Sequence, residues 1–549
     1  MKAFECKLVS SLEKIFPTKE PTGEGVSREI TCLKGETTSF QIGYFWNYDR
    51  KLYGKVKIEA PEGVNVRVRT VGLVPCAYPY HLEADDDYLT TEPGLYPDLL
   101  SDMTEFGFPL VVGQWRSLWV DVETDENTDP GLHPIELTLT VDTTEEQEVF
   151  DFTVDVLNAN LPELSIPHTE WFHCDCFANY YDVDVFSEEH WQIIENFIQT
   201  AVKRGCNMIL TPIFTPPLDT AVGGERRTVQ LIDVTVTSDG YEFGYEKLER
   251  WIAMCQRCGV KYFEISHLFS QWGAVATPKI VGMVDGKEEK IFGWQTKATG
   301  EEYSAFMRQF LVSFTEKLKS MGIEKQCYFH ISDEPSLEQK ESYRAAKEMV
   351  SEYLKDFHMI DALSDFNFYK EGIVDEPICA TNHIEPFLKE RPEKLWAYYC
   401  IGQYLDVSNR FIVKPGYRTR ILGVQLYKYD IDGFLHWGYN FYNSQFSLYP
   451  INPYQCTDAG EAFASGDPFV VYPGKDGKPE ESMRLMYMNE AMQDLMVMKY
   501  LEQLTDKSTV MNCIEWDGME ELTFSKYPRN LTYLQHVKEK VYKEIKRNI

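Results

Sequence analysis

The chain has 549 residues, more than one ordinary hydrophobic core accommodates, so two or three domains are expected. Hydrophobic residues make up 44% and charged residues 26%, a globular balance. A formal net charge of −32 repels phosphate backbones and anionic bilayers, which excludes nucleic acid and membrane surfaces as partners.

The N-terminal run MKAFECKLVSSLEKIFP lacks the continuous apolar stretch of a signal peptide, and no segment approaches the length of a membrane span. Thirteen cysteines, an odd number, read as free thiols in a reducing compartment, so a cytoplasmic location is expected. Residues 1–160 read as an all-β sandwich. Period-two runs occur at Lys55–Ile58, Val64–Val68, Leu118–Val122, Ile135–Val141 and Phe150–Val154, separated by turn signals such as Pro61-Glu62-Gly63 and Asp129-Pro130-Gly131. Asn158 to Pro162 reads as the exit linker.

Residues 168–505 alternate strand and helix, the grammar of a parallel sheet. Helices are predicted from Ser187 to Arg204, Tyr245 to Cys258 and Glu301 to Met321, stopped by Gly205, Gly259 and Gly322. Ser336 with Gln339 forms a capping box for a fourth. Strands are expected near 169–177, 207–211, 260–266, 327–332, 358–363, 377–381, 394–400 and 433–438. Eight strands imply a (β/α)8 TIM-like barrel, closed by a helix from Arg484 to Leu501. Residues 506–549 are expected to form a short helical tail packed on the barrel.

Asp333 and Glu334 end the fourth strand, just where such barrels carry catalytic groups. Two carboxyls there can divide their labour, one holding a proton and one staying ionised. Other strand ends supply candidate substrate contacts: His173 and Asp175, His267 with Trp272, Asn382 and His383, Tyr398, Trp437 and Tyr439. Along a strand His173 and Asp175 face one way and Cys174 and Cys176 the other, so the box closes no metal site. Cys255-Gln256-Arg257-Cys258 is a lone pair in a helix and reads as structural. No cofactor or metal is called for. A surplus of aromatics, 14% of the chain, suits rings stacking on sugars.

The run His330-Ile331-Ser332-Asp333-Glu334-Pro335 resembles the catalytic segment of glycoside hydrolase family 123 and the related DUF4091 group, as does Glu264-Ile265-Ser266-His267. So does the order Gly433-Phe434-Leu435-His436-Trp437-Gly438-Tyr439, Asn452-Pro453, Gly466-Asp467, Tyr472-Pro473-Gly474 and Ser482-Met483-Arg484. The resemblance spans the whole chain. It implies a retaining exo-acting β-N-acetylgalactosaminidase in which the substrate's acetamido group is the nucleophile. Glu334 would then be the general acid/base and Asp333 the group that orients the acetamido group. Tyr398 would hydrogen-bond the acetamido oxygen and Trp437 would pack on the sugar. The spacing suits that chemistry, because an enzyme without a carboxylate nucleophile can take both acids from neighbouring positions. The partner is thus a small carbohydrate. The rivals are a β-N-acetylglucosaminidase or another exo-glycosidase on the same scaffold, and a non-catalytic carbohydrate-binding protein. The oligomeric state is left open, a homo-oligomer included.

Overall fold

The computed structural model describes residues 3–549. The alternating runs of the first third fold into two sheets that face each other. One has five strands in the order Glu29–Lys34, Glu146–Asn160, Gly131–Val141, Leu52–Glu59 and Phe108–Leu110. The other begins Phe4–Ser10, Thr37–Trp46, Trp115–Thr124, Val64–Cys76 and Gly94–Asp102. Their inward side chains share one core, with Phe40, Ile42 and Val120 meeting Leu137, Leu139 and Phe152. The expected linker is shorter than supposed, since the strand Glu146–Asn160 runs through Asn158.

That second sheet continues with two strands from far along the chain, Pro479–Ser482 and then Val471–Pro473. The boundary at residue 160 is therefore crossed by the sheet itself. Buried charges cluster at this seam. Glu481 is reached by Arg204 Nε at 2.5 Å and by Arg69, which also bonds Asp121 at 2.6 Å. Arg484 grips Asp98 with two hydrogen bonds of 2.9 and 2.8 Å. Burial opposes the charge on Asp98, but Arg484 outweighs it and holds the carboxyl below its usual range. Asp98→Asn keeps the shape and strands the Arg484 charge, so a loss of about 3–5 kcal/mol is expected in urea unfolding. An unchanged midpoint and slope would show that the pair contributes nothing.

The middle of the chain forms a closed barrel of eight parallel strands: His168–Glu170, Met208–Thr211, Tyr262–Ile265, Cys327–Phe329, His358–Leu363, Glu376–Ala380, Trp396–Tyr398 and Gly433–His436. All eight expected strands are present. The first ends at Glu170, and Cys174–Phe177, assigned to it from sequence, instead open the helix Cys174–Tyr180. The helices Glu188–Lys203, Glu246–Arg257, Glu301–Ser320 and Lys340–Leu354 follow strands one to four. Ser187 caps the first of them on His190 N at 3.2 Å. The connections after strands five and six are thinner, with only Asn367–Lys370 and Glu385–Glu390 helical. Two glycines of the C-terminal motif allow close approach. A Cβ on Gly433 would lie 2.2 Å from the Trp396 indole, and one on Gly438 would lie 2.4 Å from the Pro468 carbonyl.

A four-stranded sheet of Asp233–Thr237, Gly240–Gly244, Ile280–Val284 and Lys287–Phe292 was not anticipated; it is built from the excursions after barrel strands two and three. After the long buried helix Met483–Leu504 come Lys507–Ile514 and Leu531–Asn548. The last helix leans on the paired sheets as well as on the barrel helices. Its Tyr542 hydroxyl donates to Glu36, and Lys546 pairs with Asp155 at 2.6 Å. Among the described residues no cysteine is in a disulfide, and no helix is long and apolar enough to cross a membrane.

Candidate active site

Strand four stops at Phe329, and five further residues carry the chain to Glu334 at the C-terminal rim of the barrel. Glu334 has φ 38°, in the left-handed region that a residue with a Cβ enters at a cost of about 1–2 kcal/mol. Asp333 and Glu334 open into a cavity of about 150 Å³. Its walls are aromatic: Trp171 after strand one, Trp272 after strand three, Tyr398 ending strand seven and Trp437 after strand eight. A larger cleft of about 450 Å³ lies between the paired sheets and the C-terminal helices. Its buried charges are matched, Arg420 with Asp494 at 2.7 Å and Lys538 with Glu36 at 3.2 Å, so it reads as a seam between layers.

The Tyr398 hydroxyl donates to Glu334 Oε1 and lies 3.3 Å from Ser364 Oγ. Burial pushes the Glu334 carboxyl up, the Tyr398 hydrogen bond partly offsets this, and solvent at the open mouth tempers it further. Asp333 is pushed well above the carboxylate range by burial and then by the charge of Glu334, with His330 pulling the other way. Beneath it His330 is fixed at both nitrogens, 2.6 Å from Glu264 Oε1 and 3.1 Å from Asp361 Oδ1. Burial would lower the imidazole, but the hydrogen bonds to Asp361 and Glu264 overcome that and push it up to about 10. A histidinium therefore stands under the carboxyl pair. Glu264 also accepts from the Trp171 indole at 2.7 Å, tying one wall of the pocket to the same network.

His267, His330 and Asp361 approach closely enough to suggest metal ligands. The two rings, however, are stacked with centroids 4.4 Å apart and planes 20° apart. Their in-plane lone pairs run side by side and cannot converge on one ion at about 2.0–2.1 Å. His330 is also committed at both nitrogens, so this cluster is not a preformed metal site.

Five expected contacts line the cavity: Asp333, Glu334, Tyr398, Trp437 and Trp272. The others are placed elsewhere. Asp175 is buried in an ion pair with Arg226 at 2.5 Å, and His173 bonds the same guanidinium at 3.1 Å and the Trp437 carbonyl at 2.9 Å. His173 and Asp175 do not share a strand face, because Cys174–Tyr180 is helical, and both side chains are spent on Arg226. Burial drives the His173 imidazole down to about 3, so it supports the Trp437 backbone as a neutral ring. His267 is buried one layer behind, edge-on to Trp171 at 5.2 Å. Asn382 and His383 are exposed, and Asn382 accepts from Gln403 at 2.9 Å. Tyr439 points into the core, stacked on Phe172 at 4.4 Å.

Sequence reasoning passed over Trp171, Gln271, Phe463 and above all Asp219, all of which line the cavity. Apart from Trp437, which lines the cavity, the C-terminal motif proves to be scaffolding. Asp467 accepts from the Trp437 indole at 3.0 Å, Arg484 donates to the Gly466 and Phe469 carbonyls at 2.5 Å, and Tyr472 bonds Asp98 at 2.6 Å. Burial raises both thiols of the Cys255 and Cys258 pair, which fits a structural role.

Carboxyls and aromatic walls at the C-terminal ends of barrel strands are the equipment of a glycoside hydrolase. The chain belongs to glycoside hydrolase family 123, because the family model described as "Glycoside hydrolase 123, catalytic domain" matches residues 171–501, well over half of it. Among solved structures it is similar to a family 123 glycoside hydrolase from Clostridium perfringens, described in terms of glycolipid glycan hydrolysis. The TM-score is 0.74 at 16% identity, over 100% of this chain and 99% of that one, which shows a shared fold. A β-glucuronidase from Parabacteroides merdae aligns at a TM-score of 0.28 and 11% identity, over 87% of this chain and 51% of that one, too distant to carry an argument. No curated protein matches the sequence.

Proposed function

We propose that the chain is a retaining exo-acting β-N-acetylhexosaminidase, with terminal β-linked N-acetylgalactosamine as its preferred sugar and the substrate's acetamido group as nucleophile. The observation that carries this reading is the pair of sequence-adjacent carboxyls, Asp333 and Glu334, opening into one small aromatic cavity. Neighbouring residues are poorly disposed to flank a bond from opposite sides, as a carboxylate nucleophile and its acid must. They are well disposed to serve an internal nucleophile. The acetamido oxygen attacks C1, the glycosidic C–O bond breaks, and Glu334 gives its proton to the leaving oxygen. Asp333 holds the acetamido N–H and balances the positive charge that develops there. Glu334 then takes a proton from water as it opens the oxazolinium ring, so two inversions return the original anomer.

Tyr398 has a role in this scheme that differs slightly from the simple expectation. Its hydroxyl is on Glu334 in the empty pocket. An arriving acetamido oxygen would take over that hydrogen bond. Glu334 would then lose the donor that favours its anion and hold its proton more firmly, ready for the leaving group. The Clostridium perfringens relative, described in terms of glycolipid glycan hydrolysis, supports a glycan of that kind as the substrate class. Thirteen cysteines, none of them in a disulfide, support a reducing, cytoplasmic setting.

The testing experiment pairs aryl β-galactosides that carry either a 2-acetamido or a 2-hydroxy group. The 2-hydroxy sugar lacks the nucleophile and is expected to react at least about 10²-fold more slowly. Proton NMR should show the β-anomer first. A galacto-configured thiazoline should inhibit strongly as a mimic of the intermediate. Inversion, or comparable turnover of both sugars, would overturn the mechanism. Faster turnover of the gluco-configured sugar would leave the mechanism and move the specificity to N-acetylglucosamine.

A further inference from the structure

A third carboxyl opens into the cavity. Asp219 lies in the excursion after barrel strand two, Met208–Thr211, half-buried between Leu218 and Thr220. Its backbone has φ 39°, again the left-handed region. A loop from after strand eight clasps it there. Phe446 N–H donates to Asp219 Oδ2 at 3.0 Å, Ser447 Oγ–H donates to the Asp219 carbonyl at 2.7 Å, and Ala221 N–H donates to the Phe446 carbonyl at 3.0 Å. Phe446 and Ser447 are themselves left-handed, with φ 58° and 53°. The Phe446 ring in turn meets Trp272 edge-on at 6.0 Å. Several residues in strained conformations thus interlock to aim one side chain.

Asp219 Oδ1 has no hydrogen-bond partner among the described residues. The nearby Arg226 does not supply one, being paired with Asp175 and His173. With one oxygen held by the loop and the other without a protein partner, this half-buried, cavity-lining carboxyl leaves Oδ1 to water or to a ligand that donates to it. Burial accordingly raises it to about 6.

We propose that Asp219 is a specificity-determining residue of this site, whose free Oδ1 accepts a hydrogen bond from a ring hydroxyl of the sugar seated above Asp333 and Glu334. This inference rests on the reading of the cavity as a sugar site. A charge-assisted hydrogen bond of this kind discriminates by about 10- to 100-fold against a sugar lacking the hydroxyl. The aromatic walls bind every pyranoside face, so a polar group of this kind is what separates one sugar from another.

The test compares wild type, Asp219→Asn and Asp219→Ala on an aryl β-glycoside of the 2-acetamido sugar and on its 3-, 4- and 6-deoxy analogues. The aryl group offers no hydroxyl, so any effect belongs to the glycone. KM is expected to rise about 10- to 100-fold in Asp219→Ala with kcat much less changed, and Asp219→Asn, which keeps the loop clasp, should show the same direction. One deoxy analogue should already be poor for wild type and lose nothing further in the variants. An equal added loss on every analogue, or an unchanged KM, would overturn the inference. So would a collapse of kcat at constant KM, which would place Asp219 in the chemistry. Binding of the free N-acetylhexosamine, read by fluorescence of the pocket tryptophans, gives a second readout. If wild type binds sugar without turnover, the hexosaminidase reading falls, while an at least tenfold weaker affinity in Asp219→Ala sustains the role of Asp219. If wild type neither binds nor turns over any sugar, both fall together.

Discussion

Asp333→Asn is expected to lower kcat on a 2-acetamido aryl glycoside by about 10²-fold or more, with KM little altered. The asparagine can still hydrogen-bond the acetamido group. What it lacks is the negative charge that balances the positive charge spreading over the acetamido nitrogen and C1 in the transition state. Because that balance matters chiefly in the transition state, the loss belongs in kcat. Steady-state kinetics at saturating substrate decide the matter, and a variant of near wild-type kcat would remove Asp333 from the mechanism.

Glu334→Gln removes the proton donor, and its effect should depend on the leaving group. Aglycones of high pKa should lose about 10²–10⁴-fold, whereas very acidic phenols, which leave without help, should retain far more activity. The pH profile provides an independent check. A general acid works in its protonated form, so activity falls as pH rises through its pKa. Burial raises the Glu334 carboxyl, which moves that alkaline limb above the ordinary glutamate range. In Glu334→Gln the limb should vanish for a substrate with an acidic phenol. A profile that keeps its alkaline limb, with equal losses across leaving groups, would assign the acid to another residue.

The barrel was readable because its strands are short apolar runs that follow helices stopped by glycine. Gly205, Gly259 and Gly322 adopt φ of 86°, 94° and 70°, so each stop signal has its expected physical cause. The carboxyl pair was readable because it closes such a run. His173 and Asp175 were misplaced because the first strand ends only a few residues earlier, and the cation that claims them, Arg226, is 51 positions beyond Asp175. Asn382 and His383 were misplaced because the chain turns outward after Ala380, where His383 N–H closes the turn on the Ala380 carbonyl at 2.8 Å. Asp219 carried no signal of its own. It enters the pocket through a contact with Phe446, 227 positions away, which no local pattern announces. The four-stranded sheet was missed because its runs are only five or six residues long, and one of them, Lys287–Phe292, is largely charged and exposed.

The late hairpin that completes the seven-stranded sheet also orders events during synthesis. Strand Gly94–Asp102 leaves the ribosome early, but its neighbour Pro479–Ser482 follows far behind, and the contact between Ser101 and Glu480 joins positions 379 apart. At roughly 5–20 residues per second the edge of the nascent sheet stays unpaired for about 20–80 s. During that time it presents open backbone donors and acceptors, and the Arg69 guanidinium waits for Glu481. The first-made part of the protein is therefore finished only when nearly all of the barrel has emerged, and the catalytic rim and the sheet seam reach their final form together.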